Sequence, residues 1–253
     1  IKAGVYELDL PLYPSELLGK LTGGRQKLRR ITIPEGLTIR EMDALLADRG
    51  VLAEGEFERY CRNPDNAGRY GIEAESLEGF LFPDTYLVPY DISVDKLVDV
   101  MVGRFREVFD PNLVADAERL GMSILEAVTL ASMIEKETAL DEEKPLISAV
   151  FHNRLKRGMK LQCDPTVIYG LEDFDGNLTR EDLKNPHPYN TYVHSGLPPG
   201  PICNPGRTSL VAAVRPADVD YLYFVAKRDG SHHFSSTYSE HRRAVLKYQI
   251  QKR

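Results

Sequence analysis

The sequence predicts an α+β fold in two parts, a small α/β unit of about sixty residues followed by a larger mixed domain with an open cleft. Three observations carry this expectation. Short strand-like alternations and capped helices follow one another closely through positions 1–60. A helix starting at Ser123 is apolar nearly all the way round, which requires a domain built around it. A loop over 186–206 holds six prolines, three glycines and two tyrosines, too long to lack structure in a compact domain unless it is disordered or functional. Its aromatic content and proline stiffness favour a rigid, shaped loop forming one wall of the cleft.

The chain of 253 residues can bury a real core, as one large domain or two smaller ones. Its net charge of −6, with no Lys/Arg run longer than Arg29-Arg30 or Arg242-Arg243, argues against nucleic acid as the main partner and leaves glycans and small molecules open. Cys61, Cys163 and Cys203 are widely spaced, odd in number and without a metal-ligand pattern, so they read as small buried side chains. No run approaches the roughly 18–20 apolar residues of a membrane span, and no signal peptide is present. The chain opens at Ile1 without an initiator Met, and is therefore expected to be an excised fragment lacking an N-terminal targeting region.

In chain order, 5–10 reads as a strand, 14–21 as a helix closed by Gly23 and Gly24, and 28–33 as a second strand. Thr38 and Glu41 form a capping box opening a helix that Gly50 stops. This first unit reads either as a packing subdomain or as a glycan-binding module of the LysM kind. The turn-rich stretch 62–71 reads as a linker. Residues 77–86 combine aromatic and apolar side chains with Glu78, Pro83 and Asp84, and belong at a strand start or cleft edge. An amphipathic helix spans 93–109.

At the central helix, Ser123 and Glu126 form a second capping box. Its end is Glu135, Lys136, Glu137. At about 100° per residue, Glu137 shares a stripe with Leu130, Met133 and Ile134, while Glu135 lies nearer Val128 and Ala131. Either carboxylate can be held against the interior. Burial and the negative helix end would then favour the protonated form that a general acid needs, and Lys136 opposes this if it reaches the same site. The alternative is that all three are the solvated last turn of a core helix. A helix over 146–156 follows, then a strand-like start at 161–170 broken by polar groups and Pro165. A Ser209-capped helix, a strand over 221–226, a turn at 228–230, a return strand through His232 and His233, and a basic helix opened by Thr237 and Glu240 complete the chain. Adjacent histidines point to opposite faces of a strand, so at most one faces a site, as a hydrogen-bonding group rather than a zinc ligand.

Five segments together, LEGFLFPDTY, LASMIEKETA, VFHNRLKRGMKLQCDPTVIYG, YNTYVHSGLPPGPICNPG and YLYFVAKRDGSHHF, resemble the YceG-like (MltG) family of endolytic murein transglycosylases in order and spacing. The resemblance implies a bacterial enzyme cutting within peptidoglycan glycan strands between N-acetylmuramic acid and N-acetylglucosamine, leaving 1,6-anhydro-muramic ends. It implies Glu137, the second glutamate of EKET, as the catalytic residue. It also implies a single N-terminal transmembrane helix missing from this fragment and a catalytic part on the periplasmic or extracellular side of the cytoplasmic membrane. Cell-wall synthases are the implied partners, and no metal or organic cofactor is implied. The division is then 1–60, an N-terminally incomplete LysM-like membrane-proximal part, and 61–253, the catalytic domain. Cys163 stands where the family often has Thr, a change not expected to remove activity.

One carboxylate suffices for this chemistry, because the muramic C6 hydroxyl replaces water as the nucleophile. Glu78, Asp84, Asn153, Gln162, Asp164, Tyr169, Asn190, Tyr192 and His233 lie in the matched segments and suit hydrogen bonding to sugar hydroxyls and acetamides or stacking on sugar faces, although a buried hydrogen bond would demand the same residue types. Asp164 is the foremost helper. A hydrolytic muramidase would need a second carboxylate, Asp84 or Asp164. A non-catalytic wall-binding scaffold would not need Glu137 at all. A pyridoxal-phosphate lyase would need a phosphate cup, and no glycine-rich phosphate loop supplies one.

Overall fold

Two hydrophobic clusters organise the computed structural model, which describes residues 5–8, 11–23, 26–171 and 173–250. Ahead of the first cluster lies helix α1 (Pro14–Gly23), none of whose residues is buried. The strand expected at 5–10 does not form over 5–8, and positions 9 and 10 lie outside the described residues.

The first cluster gathers β1 (Leu28–Thr32), α2 (Ile39–Asp48), α3 (Glu56–Cys61), α4 (Pro64–Arg69), β2 (Thr85–Pro89) and α5 (Val94–Val108). β1 and β2 are antiparallel, with Ile31 opposite Tyr86, and both side chains are buried. The Thr38–Glu41 capping box forms as expected, and Gly50, at φ +58°, follows the helix end. Buried Asp43 accepts from the backbone N–H groups of Gly55, Phe57 and Glu58 at 2.8, 3.0 and 3.1 Å, satisfying donors at the start of α3. The stretch expected as a linker is α4, with Asn63 accepting from Asp65 N, Pro64 in the first turn, and Ala67 fully buried. The division expected at 60/61 therefore runs through the inside of a cluster that reaches from Ile31 to Val102.

The second cluster draws on α6 (Pro111–Arg119), α7 (Ile124–Glu137), α8 (Lys144–Lys156), α9 (Asp164–Tyr169), α10 (Arg207–Val214) and the hairpin β3 (Tyr223–Ala226) with β4 (His232–Ser235), and α11 (Tyr238–Val245) packs against that hairpin. α7 begins with the Ser123–Glu126 box, and every residue from Ala127 to Ile134 is buried. Residues 164–169 form a helix rather than a strand, because Pro165 suits a first turn whose N–H would be unpaired in any case. Ser209 is not a cap: Gly206 holds that position, and Ser209 lies inside α10 with its hydroxyl bonded to Glu135 at 2.5 Å. The three cysteines are buried and free.

The clusters meet at a buried polar knot. Asn204 accepts from the N–H groups of Gly79 and Leu81 at 2.9 and 3.0 Å, and donates to Leu37 O at 3.0 Å and Glu78 Oε1 at 2.8 Å. Glu78 also accepts from Ile39 N at the head of α2. The backbone must pass tightly here: Gly79 sits at φ +88°, and a Cβ on it would lie 2.5 Å from the Pro201 ring and 2.8 Å from Val128.

Gly79→Ala is expected to destabilise the chain by more than about 2 kcal/mol, combining left-handed strain with overpacking. Gly121→Ala, at φ +73° with nothing near the added methyl, isolates the strain and is expected to cost only about 1 kcal/mol. Denaturant titration of both checks this, and equal losses would mean that the junction yields to the methyl group.

Candidate active site

Glu137 closes α7, and Thr138 at φ −148° and ψ 142° turns the chain into extended conformation directly after it. The buried body of the helix, from Ala127 to Ile134, leads its last carboxyl group to a half-buried position. Loss of water pushes its pKa up to about 7, and the nearby charge of Asp164 acts in the same direction. The thiol of Cys163, which donates to the carboxylate, and the charge of Arg154 pull the other way.

The other charged groups of this helix end are turned elsewhere. Glu135 accepts from Gly206 N at 3.1 Å and the Ser209 hydroxyl at 2.5 Å, and lies 3.5 Å from Lys144 Nζ. It is a structural carboxylate at the start of α10. Lys136 reaches across to Gly36 O at 3.2 Å. Of the two glutamates that helical spacing leaves open, only Glu137 faces the groups of the 161–164 segment.

That segment is fastened from both sides. Cys163 N donates to Thr191 Oγ1 at 3.0 Å, Gln162 N donates to Thr191 O at 3.2 Å, and Arg154 Nη1 donates to Leu161 O at 2.7 Å. Between buried Leu161 and Cys163, exposed Gln162 holds φ +50°, the one non-glycine residue in left-handed conformation among the described residues. Asp164, also exposed, accepts from Tyr192 OH at 2.5 Å. Glu137, Cys163, Gln162, Asp164 and Tyr192 thus form one constellation: a proton-holding carboxyl group at its base and hydrogen-bonding groups at its solvent side.

The remaining candidates are engaged away from it. Tyr169 donates to Glu78 at 3.3 Å and packs against Tyr189, so both candidates belong to the junction knot. Burial pushes Glu78 up to about 7 despite its bonds to Ile39 N, Tyr169 and Asn204. Asp84 pairs with Arg104 at 2.8 Å and accepts from Thr85 N. Asn153 ties to Val219 O and Tyr221 O. Buried Asn190 donates to three carbonyls of 182–185 and accepts from Tyr192 N, shaping the loop rather than lining the site. His233 lies against Tyr248; its neighbour His232 is the hydrogen-bonding histidine, with Nδ1 2.6 Å from Glu143.

Sequence reasoning missed Arg154 and Asn204. Arg154 sits on a helix end where arginines are commonly exposed, and Asn204 sits in a loop where Asn reads as a turn former. No local pattern marks either one as buried. Among the described residues no group of three or more His, Cys, Asp or Glu side chains is arranged to hold a metal ion.

The model of the YceG-like family matches residues 1–247. The endolytic murein transglycosylase of Bacillus subtilis (strain 168) is 33% identical over 265 residues, covering 98% of this chain and 73% of that protein. That of Streptococcus pneumoniae serotype 2 (strain D39) is 28% identical over 283 residues, and the chain spans 51% of its length. The crystal structure of a putative YceG-like protein from Listeria monocytogenes superposes with a TM-score of 0.76 at 31% identity, over 91% of this chain and 80% of that one.

Glu137 and Glu78 both keep protons at pH values where the unfolded chain, with carboxyl groups near 4.5, has released them. Between about 4.5 and 7 the folded state binds more protons, so this part of the stability is complete below pH 4.5 and is lost as pH rises through 7. Glu137→Gln is neutral at every pH. It is expected to equal the parent near pH 4.5 and to exceed it by about 1–3 kcal/mol at pH 8, read from urea denaturation at the two pH values. No gain at pH 8 would mean that Glu137 titrates like a surface carboxylate.

Proposed function

The chain belongs to the YceG-like family, and from that premise we propose that it is an endolytic murein transglycosylase whose single acid/base is Glu137. The observation that carries the assignment is a half-buried carboxyl group with its pKa near 7, poised to give a proton and take one back at the same position. Protonated Glu137 donates to the glycosidic oxygen between N-acetylmuramic acid and N-acetylglucosamine, and the C1–O bond breaks. Glu137, now a carboxylate, removes the proton of the muramic C6 hydroxyl as its oxygen bonds to C1. The product carries a 1,6-anhydro ring, and no water is consumed. Intramolecular placement of the nucleophile supplies much of the rate.

Gln162, Asp164 and Tyr192 serve as the sugar-binding groups of this centre. The exposure of Gln162, the strain of its backbone and the Tyr192–Asp164 hydrogen bond support that role. Glu78, Asp84, Asn153, Tyr169, Asn190 and His233 support it indirectly, through the loops and helices that they tie together.

The proposal extends to the rest of the molecule on the strength of the family resemblance. Residues 1–60 are a LysM-like membrane-proximal part and 61–253 the catalytic part, joined closely enough by the β1–β2 pairing that they fold together. Cell-wall synthases are its partners. A single transmembrane helix preceding this sequence anchors it with its catalytic part outside the cytoplasmic membrane. No helix among the described residues is itself long and apolar enough to cross one.

Digestion of purified, uncrosslinked glycan strands, read by mass spectrometry, tests the reaction. Internal fragments with anhydro ends, lighter by one water than hydrolysis products, are expected from the native chain. Glu137→Gln is expected to lose about 10²–10⁴-fold in rate. Hydrated ends would instead make Asp164 the water-activating base of a hydrolase.

A further inference from the structure

One buried cation at the site has no part in the two proton transfers. Arg154, on the last turn of α8, is 8% exposed and donates from Nε to Leu222 O at 2.7 Å and from Nη1 to Leu161 O at 2.7 Å. Its guanidinium lies over the ring of Tyr223, 5.3 Å from the centroid, and His241 stacks on that ring with centroids 5.1 Å apart. Every hydrogen bond it makes among the described residues goes to a backbone carbonyl, and no carboxylate pairs with it. A buried cation left with carbonyls alone is expensive unless a negative charge lies within reach. Burial lowers the pKa of Arg154, and Glu137 is a carboxylate whose charge acts against that, as Arg154 in turn acts on Glu137.

We propose that Arg154 is a positioning residue of this centre: its planar fork fastens the 160–163 segment to the start of β3, and its charge faces the Glu137 carboxylate that exists between the two proton transfers. The inference rests on Glu137 being the acid/base. Once the proton has passed to the glycosidic oxygen, Glu137 carries a negative charge in a site that disfavours it, until the C6 hydroxyl proton arrives. The groups acting on Glu137 are Cys163 from the 161–163 segment, Asp164 from α9 and Arg154 from α8, and Tyr192 of the 186–206 loop also feels its charge. The charge of Asp164 acts on Glu137 in the same direction as burial, Cys163 and Tyr192 are held neutral by burial, and Glu135 and Lys136 of the same helix are engaged elsewhere. α6 and α10, also packed on α7, contribute no charge acting on it among the described residues. Arg154 is thus the cation that balances the intermediate state. The same two bonds hold the backbone on which Gln162 is strained and from which Cys163 reaches Glu137. A lysine keeps the charge but cannot span Leu161 O and Leu222 O with a rigid fork.

The test compares Arg154→Met and Arg154→Lys with the native chain on purified glycan strands, by the pH dependence of kcat/KM and by ¹³C NMR titration of the Glu137 carboxyl group, assigned with Glu137→Gln. In Arg154→Met the basic limb and the NMR midpoint are expected to move to higher pH, with kcat down about 10²-fold and KM little changed. Arg154→Lys is expected to lose rate while the limb stays in place. A limb and midpoint that stay put or fall in a folded Arg154→Met would overturn the inference. If that variant fails to fold by circular dichroism, Arg154→Gln, neutral but still able to donate to Leu161 O, gives the same readouts. Full cleavage by Glu137→Gln would overturn the acid/base assignment itself, whereas an inactive Glu137→Gln with an unmoved limb in Arg154→Met would overturn the role of Arg154 alone.

Discussion

The site depends on ending an almost wholly buried helix on a carboxyl group. The body of α7 is buried from Ala127 to Ile134, and its last turn surfaces only in part, with Lys136 exposed and Glu135 and Glu137 half-buried. Its C-terminus must be polar enough to release the chain and dry enough to keep a proton. The EKE triplet meets both demands by sending its charges three ways: Glu135 to the start of α10, Lys136 to the loop after β1, and Glu137 to the 161–164 segment. Each of the first two contacts relieves Glu137 of a charge that would otherwise set its protonation.

The same helix explains why the two parts of the molecule are not separable beads. Gly79 of the first cluster lies so close to Val128 of α7 and to Pro201 that no side chain fits between them. Glu78 and Asn204 satisfy one another and the backbone across that contact. Glu35 adds a second tie, its carboxylate lying where a side chain on Gly206 would be, close enough for Glu135 to raise its pKa beyond the effect of burial. A long, stiff loop that closes over α7 and touches both clusters needs its prolines, since each fixed φ angle lowers the entropy lost on ordering it.

Much of this was legible in the residues. The capping boxes at Thr38, Ser123 and Thr237 start their helices, and the apolar circumference of the central helix reads directly as the burial of 127–134. The shaped loop and the C-terminal hairpin follow from proline content and from strand alternation around a glycine turn. What misled was local chemistry with a tertiary answer. Pro64 and Asn63 look like a linker but start a helix whose Ala67 fills the first cluster. Ser209 looks like a cap, but its hydroxyl goes to a carboxylate on another helix.

By itself the sequence determined the family, the central helix and a short set of polar groups beside it, because caps, periodicity and motif spacing are properties of neighbouring residues. Only the tertiary structure decided which of those groups meet. Glu137 parted from Glu135 through contacts with residues about 70 positions or fewer away in the chain, and Asp164 and Tyr192 were joined while Asp84, Asn153 and Asn190 were drawn into scaffolding. Arg154 became a buried cation through carbonyls on two other segments. The physical reason is that desolvation, which sets both protonation and hydrogen-bond demand, depends on everything packed around a group and on nothing in its own short window.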